Sequence, residues 1–463
     1  MTIEEIFQPN RPIAEIIGDL SLKSIVVPPW GGKQGLEAQY NPEKHPVMDR
    51  AQYPDVVEKG RLVERVTRIT YDYQRLAVNR MTELAFGVPV KRVYKAENDA
   101  QSEIARDIEA VYQRNRIDSF NLERSKMLFA GCEVVTLWYP VDGETRVYGF
   151  ESDFKLRCAN YSPMLGDKLY PLFDELGDLI ALSIAYERKV GNKKVSYFDT
   201  YTAEKHYKWQ QAGKSWEEVE NDDLPIKKIP AVYIYRPTPI WEDTSKLVYE
   251  MEWAMSRGGN YLRRNSKPIL GVFTDEVVKY GNEKDENEEF RTIMQLPKGA
   301  EMKYITWDQQ VENLKFFITE NRQSFFTQLQ LPDWSYESMK SAPMSGESRK
   351  QLFIDAMLKV KEESGRWLEA FDREMNVVKA FYKLMKKGVS EEEVDNLQVE
   401  TVITPYVIND DKERAELALT LNGNKPLMSH RESIEFMGLS DDVETTLQEI
   451  QQDELNDAAE PSL

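Results

Sequence analysis

The sequence predicts an α+β fold that is predominantly helical. Two long stretches, Arg61–Phe86 and Glu347–Lys387, repeat apolar residues every three or four positions, the spacing of one helical face. Between them, residues 133–235 contain runs that alternate with a period of two and end at glycine-containing turns. Because helices come first and strands second, we expect an α+β domain rather than alternating β and α units. A length of 463 residues suggests about three domains.

Composition excludes several classes of protein. Hydrophobic residues make up 41% of the chain, enough for packed cores, so extensive disorder is not expected. The formal net charge of −19 argues against tight phosphate binding, which depends on Lys and Arg, but suits a surface past which DNA slides. Two cysteines, Cys132 and Cys158, are too few for a disulfide framework and fit a reducing compartment. The sequence shows no signal peptide, and no apolar run is long enough to span a bilayer.

Motifs of the common catalytic sites are missing from the sequence. There is no phosphate-binding P-loop, dinucleotide fingerprint, nucleophile elbow or zinc-protease motif. The three histidines are far apart in sequence and are expected to be surface or packing residues: His45, His206 and His430. We therefore predict no enzyme activity, no cofactor and no metal.

Two polar segments leave an alternative open. The glycines of residues 29–35 could cradle a phosphate, but a flexible loop in an irregular N-terminal arm is favoured, because no strand precedes them. The pairs Asp410-Asp411 and Asp441-Asp442 could bind a divalent cation, although such pairs ahead of helices are more often caps.

Helices dominate the first part of the folded region. The stretch Arg61–Phe86 is expected to be one helix, ended by Gly87 and Pro89. Its arginines are expected to pair with carboxylates rather than with DNA. Two more helices are predicted at Ser102–Gln113 and Ser119–Ala130, the latter capped by Asp118 or Ser119.

Strands follow these helices. The dipeptide Asp142-Gly143 predicts a hairpin between Glu133–Tyr139 and Thr145–Phe150. Turns are expected at Gly191-Asn192 and Ala212-Gly213. The other predicted strands are Leu179–Tyr186, Lys194–Tyr201, Lys205–Gln210 and Ala231–Tyr235.

A helix, a small insertion and a second helix come next. The first helix follows Asp243-Thr244, runs to about Leu262 and ends in a basic cluster, and the second covers Trp307–Leu331. The insertion contains strand-like runs at Ile269–Phe273 and Met302–Ile305 and a very acidic segment, Asn282–Glu289. Two helices around a compact insertion predict a hairpin with the insertion at its tip.

The last third of the chain begins with a loop, residues 332–346, that is rich in small and flexible residues. The helix Glu347–Lys387 follows and would span roughly 60 Å at 1.5 Å per residue. The C-terminal tail is expected to contain a strand at Val399–Ile408 and helices at Lys412–Asn422, Ser429–Glu435 and Val443–Asp457.

This order of elements resembles the portal proteins of tailed bacteriophages. The stretch Arg80–Val90 is similar to the early transition from helix to a Gly-x-Pro turn in that family. Asn115–Asn121, followed by Phe129–Glu133, is similar to the run that leads into the family's hairpin. Ser345–Ser348, which opens the long helix, and Ser429–Ser433 are similar to the ends of the tunnel loop and to the crown. No single motif is specific, and the resemblance lies in their ordered series.

The resemblance implies a portal fold with wing, stem, clip and crown that assembles as a cyclic ring around a central channel. The implied segments are 1–58 N-terminal arm, 59–242 wing, 243–265 stem helix, 266–306 clip, 307–331 second stem helix, 332–346 tunnel loop, 347–388 long wing and crown helix, and 389–463 crown and tail.

The resemblance also implies a function. A ring, normally of twelve subunits, would occupy one vertex of the capsid in the virion after assembly in the host cytoplasm. Double-stranded DNA would pass through its channel with weak, non-specific contacts. Implied protein partners are the terminase large subunit, head-completion or adaptor proteins, and the major capsid and scaffolding proteins, with no membrane contact.

Candidate site residues follow from these positions. Those expected to face DNA are Met339, Lys340, Ser341 and Met344 on the loop and Arg263, Arg264 and Lys267 near the stem–clip junction. Those expected to dock the terminase or an adaptor are Glu283, Asp285, Glu286, Glu288 and Glu289. For each set, solvated or interface-paired charge is the alternative.

Two other functions compete with the portal. A non-enzymatic scaffold could use the long helix as a coiled coil, but this leaves the helix–insertion–helix unit unexplained. A metal-dependent nuclease could use the carboxylate clusters, but paired carboxylates on adjacent strands with a nearby lysine are missing from the sequence.

Overall fold

Helices and antiparallel strands are mixed along most of the chain in the computed structural model. The structure describes residues 2–23, 25–213, 215–265, 269–273, 279–284, 290–295, 301–305, 311–333, 353–406, 429, 431–432 and 447–450. The chain forms two units: residues 1–334 with 355–406, and residues 335–354 with 407–463.

Ten α-helices are labelled here in the order in which the described residues present them. They are α1 Ile3–Ile6, α2 Ile13–Leu20, α3 Leu36–Tyr40, α4 Tyr73–Phe86, α5 Asp99–Arg114, α6 Ile117–Gly131, α7 Ser245–Asn265, α8 Val311–Gln328, α9 Ile354–Met385 and α10 Glu391–Asn396. The 32 residues of α9 give it a length of about 48 Å at 1.5 Å per residue.

The strands pair antiparallel throughout the described part of the chain. They are β1 Val56–Glu58, β2 Arg61–Glu64, β3 Lys91–Lys95, β4 Glu133–Thr145, β5 Ser152–Tyr161, β6 Lys168–Phe173, β7 Leu179–Val190, β8 Lys193–Thr202, β9 Lys205–Ala212, β10 Ser215–Asp223, β11 Ala231–Tyr235, β12 Ile269–Phe273, β13 Lys279–Lys284, β14 Phe290–Gln295, β15 Glu301–Ile305 and β16 Gln398–Val402. A five-stranded sheet has the order β10-β9-β8-β7-β6, and a three-stranded sheet has the order β11-β4-β5. The pairs β1-β2, β12-β15, β13-β14 and β16-β3 complete the set. The sixteen strands of the described residues confirm a mixed α+β fold. The expected predominance of helix is not confirmed.

The N-terminal arm is more ordered than the sequence predicted. Helices α1 and α2 pack their apolar side chains, Ile6, Ile17 and Leu20 among them, onto Phe198 and Trp209 of the five-stranded sheet. The expectation of an irregular arm was therefore wrong for these two short amphipathic helices, whose apolar faces are buried by a sheet that lies far along the sequence.

The helix predicted at Arg61–Phe86 begins only at Tyr73. Arg61–Glu64 instead forms β2, which turns back on β1 through Lys59 and Gly60, both of which have positive φ angles. Such φ angles suit a tight hairpin turn, which a continuous helix would not contain. The predicted end of this helix at Gly87 is confirmed.

Helices α5 and α6 pack against α9 in the main core. Ile104, Ile108 and Val111 of α5 are buried in one cluster with Val378 and Phe381 of α9. Asn98 caps α5 by accepting a hydrogen bond from the Gln101 N–H. Helix α6 begins at Ile117, earlier than predicted, and the residue before it, Arg116, has the left-handed conformation. Asp118 and Ser119 therefore lie inside the helix and neither is its cap.

Four of the predicted strands are confirmed as β7, β8, β9 and β11, but the strand predicted at Thr145–Phe150 is wrong, because residues 146–151 form the turn between β4 and β5. Strand β4 continues through Asp142-Gly143, where its register with β5 shifts, and the chain turns back only after Thr145. The Asp-Gly dipeptide thus marks an irregularity inside a long strand rather than a turn. Strand β11 has the predicted bounds, and the turns at Gly191 and Gly213 are confirmed by positive φ angles.

The helix–insertion–helix unit is confirmed in outline. Helices α7 and α8 contact each other, and between them in sequence lie β12 and β15, which match the predicted strand-like runs, and the pair β13-β14. The second helix begins at Val311 in the described residues.

The second unit is described at only a few positions. Among them, Ser429 and Glu432 form a reciprocal capping box: the Glu432 N–H donates to Ser429 Oγ (3.2 Å), and the Ser429 N–H donates to Glu432 Oε2 (2.9 Å). The helix predicted from Ser429 therefore starts where expected. The acidic pairs Asp410-Asp411 and Asp441-Asp442 lie outside the described residues.

Both cysteines are free thiols. Burial raises the pKa of Cys132 and of Cys158 to about 12, so both thiols stay protonated and poorly nucleophilic near neutral pH. Within the described residues, no helix is both long and apolar enough to cross a membrane.

Candidate functional site: the stem helices and their anchors

Helix α7 carries two adjacent glycines where its neighbours come closest. A Cβ at Gly258 would lie 3.2 Å from Leu314 of α8, and a Cβ at Gly259 would lie 3.1 Å from the Thr67 methyl group. A side chain at either position would therefore press on α8 or on the extended segment 65–71, which would have to shift by a few tenths of an ångström.

Alternate backbone N–H groups of segment 65–71 donate hydrogen bonds to side chains along α7. The backbone N–H groups of Thr67, Ile69 and Tyr71 donate to Asn260 Oδ1 (2.6 Å), Ser256 Oγ (2.9 Å) and Glu252 Oε1 (2.8 Å). Two residues of extended chain advance about 6.6 Å, and four residues of helix advance about 6.0 Å. The two spacings match, so every second amide meets a polar side chain on one face of α7.

Glu252 also holds a buried histidine. His45 Nδ1 lies 2.7 Å from Glu252 Oε1 and His45 Nε2 lies 2.8 Å from the Gln39 carbonyl, and both side chains are 0% exposed. Because the carbonyl only accepts, Nε2 is the nitrogen that donates to Gln39, and Nδ1 is the nitrogen that faces the carboxylate. The prediction that His45 is a packing residue is confirmed, and its partner ties the N-terminal arm to α7.

Arg80 of α4 holds the C-terminal end of α8, which with α7 forms the helix pair that we name the stem. Its Nη1 donates to the Pro332 carbonyl (2.6 Å), its Nη2 lies 3.6 Å from Asp333 Oδ1, and its guanidinium stacks 4.4 Å from the ring centre of Phe326. Arg322 of α8 lies 3.4 Å from the other oxygen of Asp333. Burial lowers the pKa of Arg80, but the carboxylate opposes that shift, so the charge is retained.

Helix α9 contacts the same end of α8. Lys359 Nζ donates to the Leu329 carbonyl, and burial lowers the pKa of this lysine to about 8. Nearby, Arg236 Nη2 lies 2.9 Å from Glu363 Oε1. The end of α8 is therefore held by α4 and α9, and α7 is held along its length by segment 65–71.

The arginines predicted to pair with carboxylates do so at three positions. Arg68 lies 3.0 Å from Asp55, Arg75 lies 3.1 Å from Asp72, and Arg80 contacts Asp333 as above. Of these three arginines, Arg80 is the one that contacts the end of α8.

Few of the candidate site residues lie within the described part of the chain. Arg263 is exposed on α7 and donates from Nη1 to the Arg65 carbonyl (3.0 Å). Arg264 lies in α7 and Glu283 in β13. The remaining candidates lie outside the described residues: Lys267, Asp285, Glu286, Glu288, Glu289, Met339, Lys340, Ser341 and Met344. The DNA-facing and docking sets therefore stay predictions.

Sequence reasoning missed the polar residues that fix the stem. Glu252, Ser256 and Asn260 recur every four positions on a helix whose predicted packing face is its apolar stripe. A second, polar face with that period was the available signal. Among the described residues, no group of three or more His, Cys, Asp or Glu side chains is placed to hold a metal ion.

An α+β domain, a pair of helices around a small strand-paired insertion, and a helix of 32 residues follow one another in the order that the resemblance to portal proteins implied. The family comparison agrees: the model of the phage portal protein family, SPP1 Gp6-like, matches residues 34–460, so this chain belongs to that family.

Solved structures from phage-like particles are also similar. A chain from the virion of a native gene transfer agent particle is 10% identical, with a TM-score of 0.38 and coverage of 92% of this chain and 98% of that chain. A chain from the neck of an empty gene transfer agent particle, computed with C6 symmetry, is 11% identical, with a TM-score of 0.41 and the same coverage. Comparison with curated proteins gives no match.

Proposed function

We propose that this protein forms a ring of twelve subunits at one vertex of a capsid, through which double-stranded DNA is packaged and ejected. The observation that carries the proposal is membership of the phage portal family over residues 34–460. The family is structural, and we propose no catalytic role for this chain. The ring would reside in the virion and would assemble in the host cytoplasm.

Charge supports a channel that lets DNA slide. Twelve subunits at −19 each would carry a formal charge of −228, so a wall facing DNA must be neutral or repulsive apart from local rings of cations. We propose Lys340 in the tunnel loop and Arg263, Arg264 and Lys267 near the clip as such rings, with Met339, Ser341 and Met344 beside Lys340. Twelve weak phosphate contacts at one level would align DNA without holding it.

Anchoring of the stem supports the same function. DNA under packaging pressure exerts force on the channel, and Arg80, Lys359 and the amides of segment 65–71 connect the stem helices to the wing. A fixed stem would keep the channel at constant width.

Docking of the packaging motor is proposed for the clip, residues 266–306. Its acidic residues Glu283, Asp285, Glu286, Glu288 and Glu289 would meet basic surfaces of the terminase large subunit and, later, of head-completion proteins. Capsid and scaffolding proteins would contact the same ring at the vertex.

Native mass of the purified protein tests the ring. Twelve subunits of 53.9 kDa give about 650 kDa, and particles of that mass with a central pore are expected in electron micrographs. A mass of one or two subunits at every concentration would contradict the proposal.

Two variants test the sites separately. Lys340→Ala is expected to alter DNA packaging or retention while rings still form, and unchanged packaging would remove Lys340 from the channel. Reversal of Glu286, Glu288 and Glu289 to Lys is expected to weaken motor-stimulated packaging, and unchanged packaging would make this segment merely solubilising.

A further inference from the structure

The hairpin formed by β7 and β8 extends beyond the strands on either side of it. Strand β6 pairs with β7 only as far as Ala185, and β9 pairs with β8 only from Tyr197 onward. In the described part of the chain, residues 186–196 therefore pair only with each other, as a two-stranded ribbon that turns at Gly191. From Ala185 to Val190 the chain advances about 16 Å.

This ribbon concentrates positive charge in a chain whose net charge is −19. It carries four cations and one carboxylate, a net charge of +3: Arg188, Lys189, Lys193, Lys194 and Glu187. Residues 187–194 are all exposed. Lys194 Nζ lies 3.3 Å from Glu187 Oε2, and within the described part of the chain this is the only ion pair of the ribbon. The two side chains are 80% and 59% exposed, so the pair neutralises little of the charge.

The register of the ribbon brings like charges together. Lys189 lies directly opposite Lys194, and Val190 lies opposite Lys193. Two cations directly opposite each other destabilise a strand pair. Single lysines protect free strand edges from unwanted pairing, but that protection does not require two lysines in one cross-strand pair. An anion bound between the two lysines would remove the repulsion.

Cations lie on both faces of the ribbon. Residues directly opposite each other share a face, and neighbours along a strand alternate between the faces. One face therefore carries Lys189 and Lys194, and the other carries Arg188 and Lys193. The Arg188 guanidinium also lies 4.9 Å from the centre of the Tyr186 ring on its own face. A flat acidic surface of a protein would contact only one of these faces.

The major groove of double-stranded DNA fits this shape. The groove is about 12 Å wide and about 8.5 Å deep, and it admits a two-stranded β-ribbon. A strand layer with its side chains is about 10 Å thick. A ribbon that enters the groove tip first presents one face to each phosphate backbone, so the cations of both faces reach phosphates.

We propose that the ribbon of residues 186–196 is a sequence-independent binding site for double-stranded DNA, with the tip in the major groove and the four cations on phosphates. These residues are not among those proposed to face the channel, so the site goes beyond the proposed function. The acidic remainder of the chain repels DNA, so the contact is weak and sensitive to salt. Each phosphate contact contributes about −0.9 to the slope of log K against log salt concentration.

Binding of the full-length protein to a labelled DNA duplex of about 15 base pairs tests the site. Fluorescence anisotropy over a series of salt concentrations gives the affinity and its salt slope. The variant Lys189→Ala/Lys193→Ala removes one cation from each face. It is expected to lower the affinity at least about tenfold and to reduce the magnitude of the slope by about 1.8. It also removes a like-charge contact, so the free energy of unfolding should not fall.

The matched control removes the same charge elsewhere. The variant Lys126→Ala/Lys361→Ala replaces two exposed lysines of α6 and α9 and is expected to keep the affinity and the slope. Equal losses in both variants, or no loss in the ribbon variant, would overturn this site. Displacement of the duplex by an equal charge concentration of poly-L-glutamate would overturn it in favour of an acidic protein. Single subunits that bind DNA through the ribbon would support this site and overturn only the proposed ring.

Discussion

Arg124 and Glu374, which are 250 positions apart in sequence, form a buried ion pair with 2.8 Å between Nη2 and Oε2. The two side chains are only 1% and 2% exposed. Asn121 Oδ1 accepts a second bond from the arginine (2.6 Å), and Trp138 Nε1 donates to Glu374 (3.0 Å). The pair therefore joins α6, β4 and α9 at the centre of the core.

Loss of this carboxylate should be among the costliest single changes in the chain. Glu374→Gln leaves the guanidinium buried with no counter-charge, and breaking such a pair costs about 3–5 kcal/mol. Denaturant unfolding, followed by fluorescence, measures the difference. Glu369→Gln on the same helix is the control, because that side chain is 64% exposed and its pair should contribute less than about 0.5 kcal/mol. Equal effects of the two substitutions would contradict the central role of the pair.

The contact between His45 and Glu252 yields a second prediction. His45→Ala removes one of the two hydrogen-bond partners of a carboxylate that is 0% exposed and leaves only the Tyr71 N–H, and a buried group that loses a partner costs about 1–3 kcal/mol, more when charged. The free energy of unfolding should fall by at least about 2 kcal/mol, and proteolysis should cleave the N-terminal arm sooner. Lys44→Ala, next to it in sequence, removes only a half-exposed ion pair with Glu37 and should leave both measurements nearly unchanged. An arm that resists protease equally in both variants would exclude this anchor.

Asp199 predicts a dependence of stability on pH. Burial raises its pKa to about 6, although Tyr186 Oη donates to it (2.9 Å) and partly offsets the shift. A folded pKa above the unfolded value of about 3.9 means that the stabilisation is complete below about pH 4 and is lost as the pH rises through 6. About two pH units correspond to about 3 kcal/mol.

Asp199→Asn isolates this effect. Between about pH 4 and pH 8, the wild type should lose about 2–3 kcal/mol of unfolding free energy relative to the variant, because the amide does not ionise. The pKa of His206 is lowered by burial, so its own contribution has the opposite sign and is lost as the pH falls. Because His206 Nε2 lies 4.0 Å from Asp199 Oδ2, the two proteins are compared in a His206→Gln background, which removes that contribution from both. Parallel pH profiles would show that Asp199 ionises as an exposed carboxylate does.

Local patterns predicted the elements whose signals are local. Strand β11 and the end of α4 at Gly87 follow from alternation and from a helix-ending glycine. The start of α4 did not follow, since the apolar spacing in residues 61–72 fits a helix equally well. What decides against a helix there is the acceptor row on α7, about 190 positions later. These acceptors lie on another element, so nothing in the sequence of residues 61–72 themselves indicates them.

The candidate site was predictable to a smaller extent. Element order and local sequence patterns led to the portal family, but the anchors of the stem depend on pairs such as Arg80 with Pro332, 252 positions apart. Nothing in the local sequence of Arg80 distinguishes a residue that stabilises a turn from one that faces solvent. The role of Arg80 follows only from its contacts in the folded chain.

Two glycines in long helices should respond in opposite ways to the same substitution. At Gly365 of α9, no atom lies within 4 Å of the position that a Cβ would take, so Gly365→Ala should raise stability by about 0.5–1 kcal/mol through helix propensity alone. Gly259→Ala gains the same propensity but brings its methyl group to 3.1 Å from that of Thr67. Thr67 cannot move freely, because its N–H donates to Asn260. We therefore expect Gly259→Ala to be at least about 1 kcal/mol less stable than Gly365→Ala in thermal or denaturant unfolding.

Thr67→Ser removes the opposing methyl group and should recover most of that difference in the Gly259→Ala background. Equal stabilisation by both alanines would show that segment 65–71 does not pack closely on the stem.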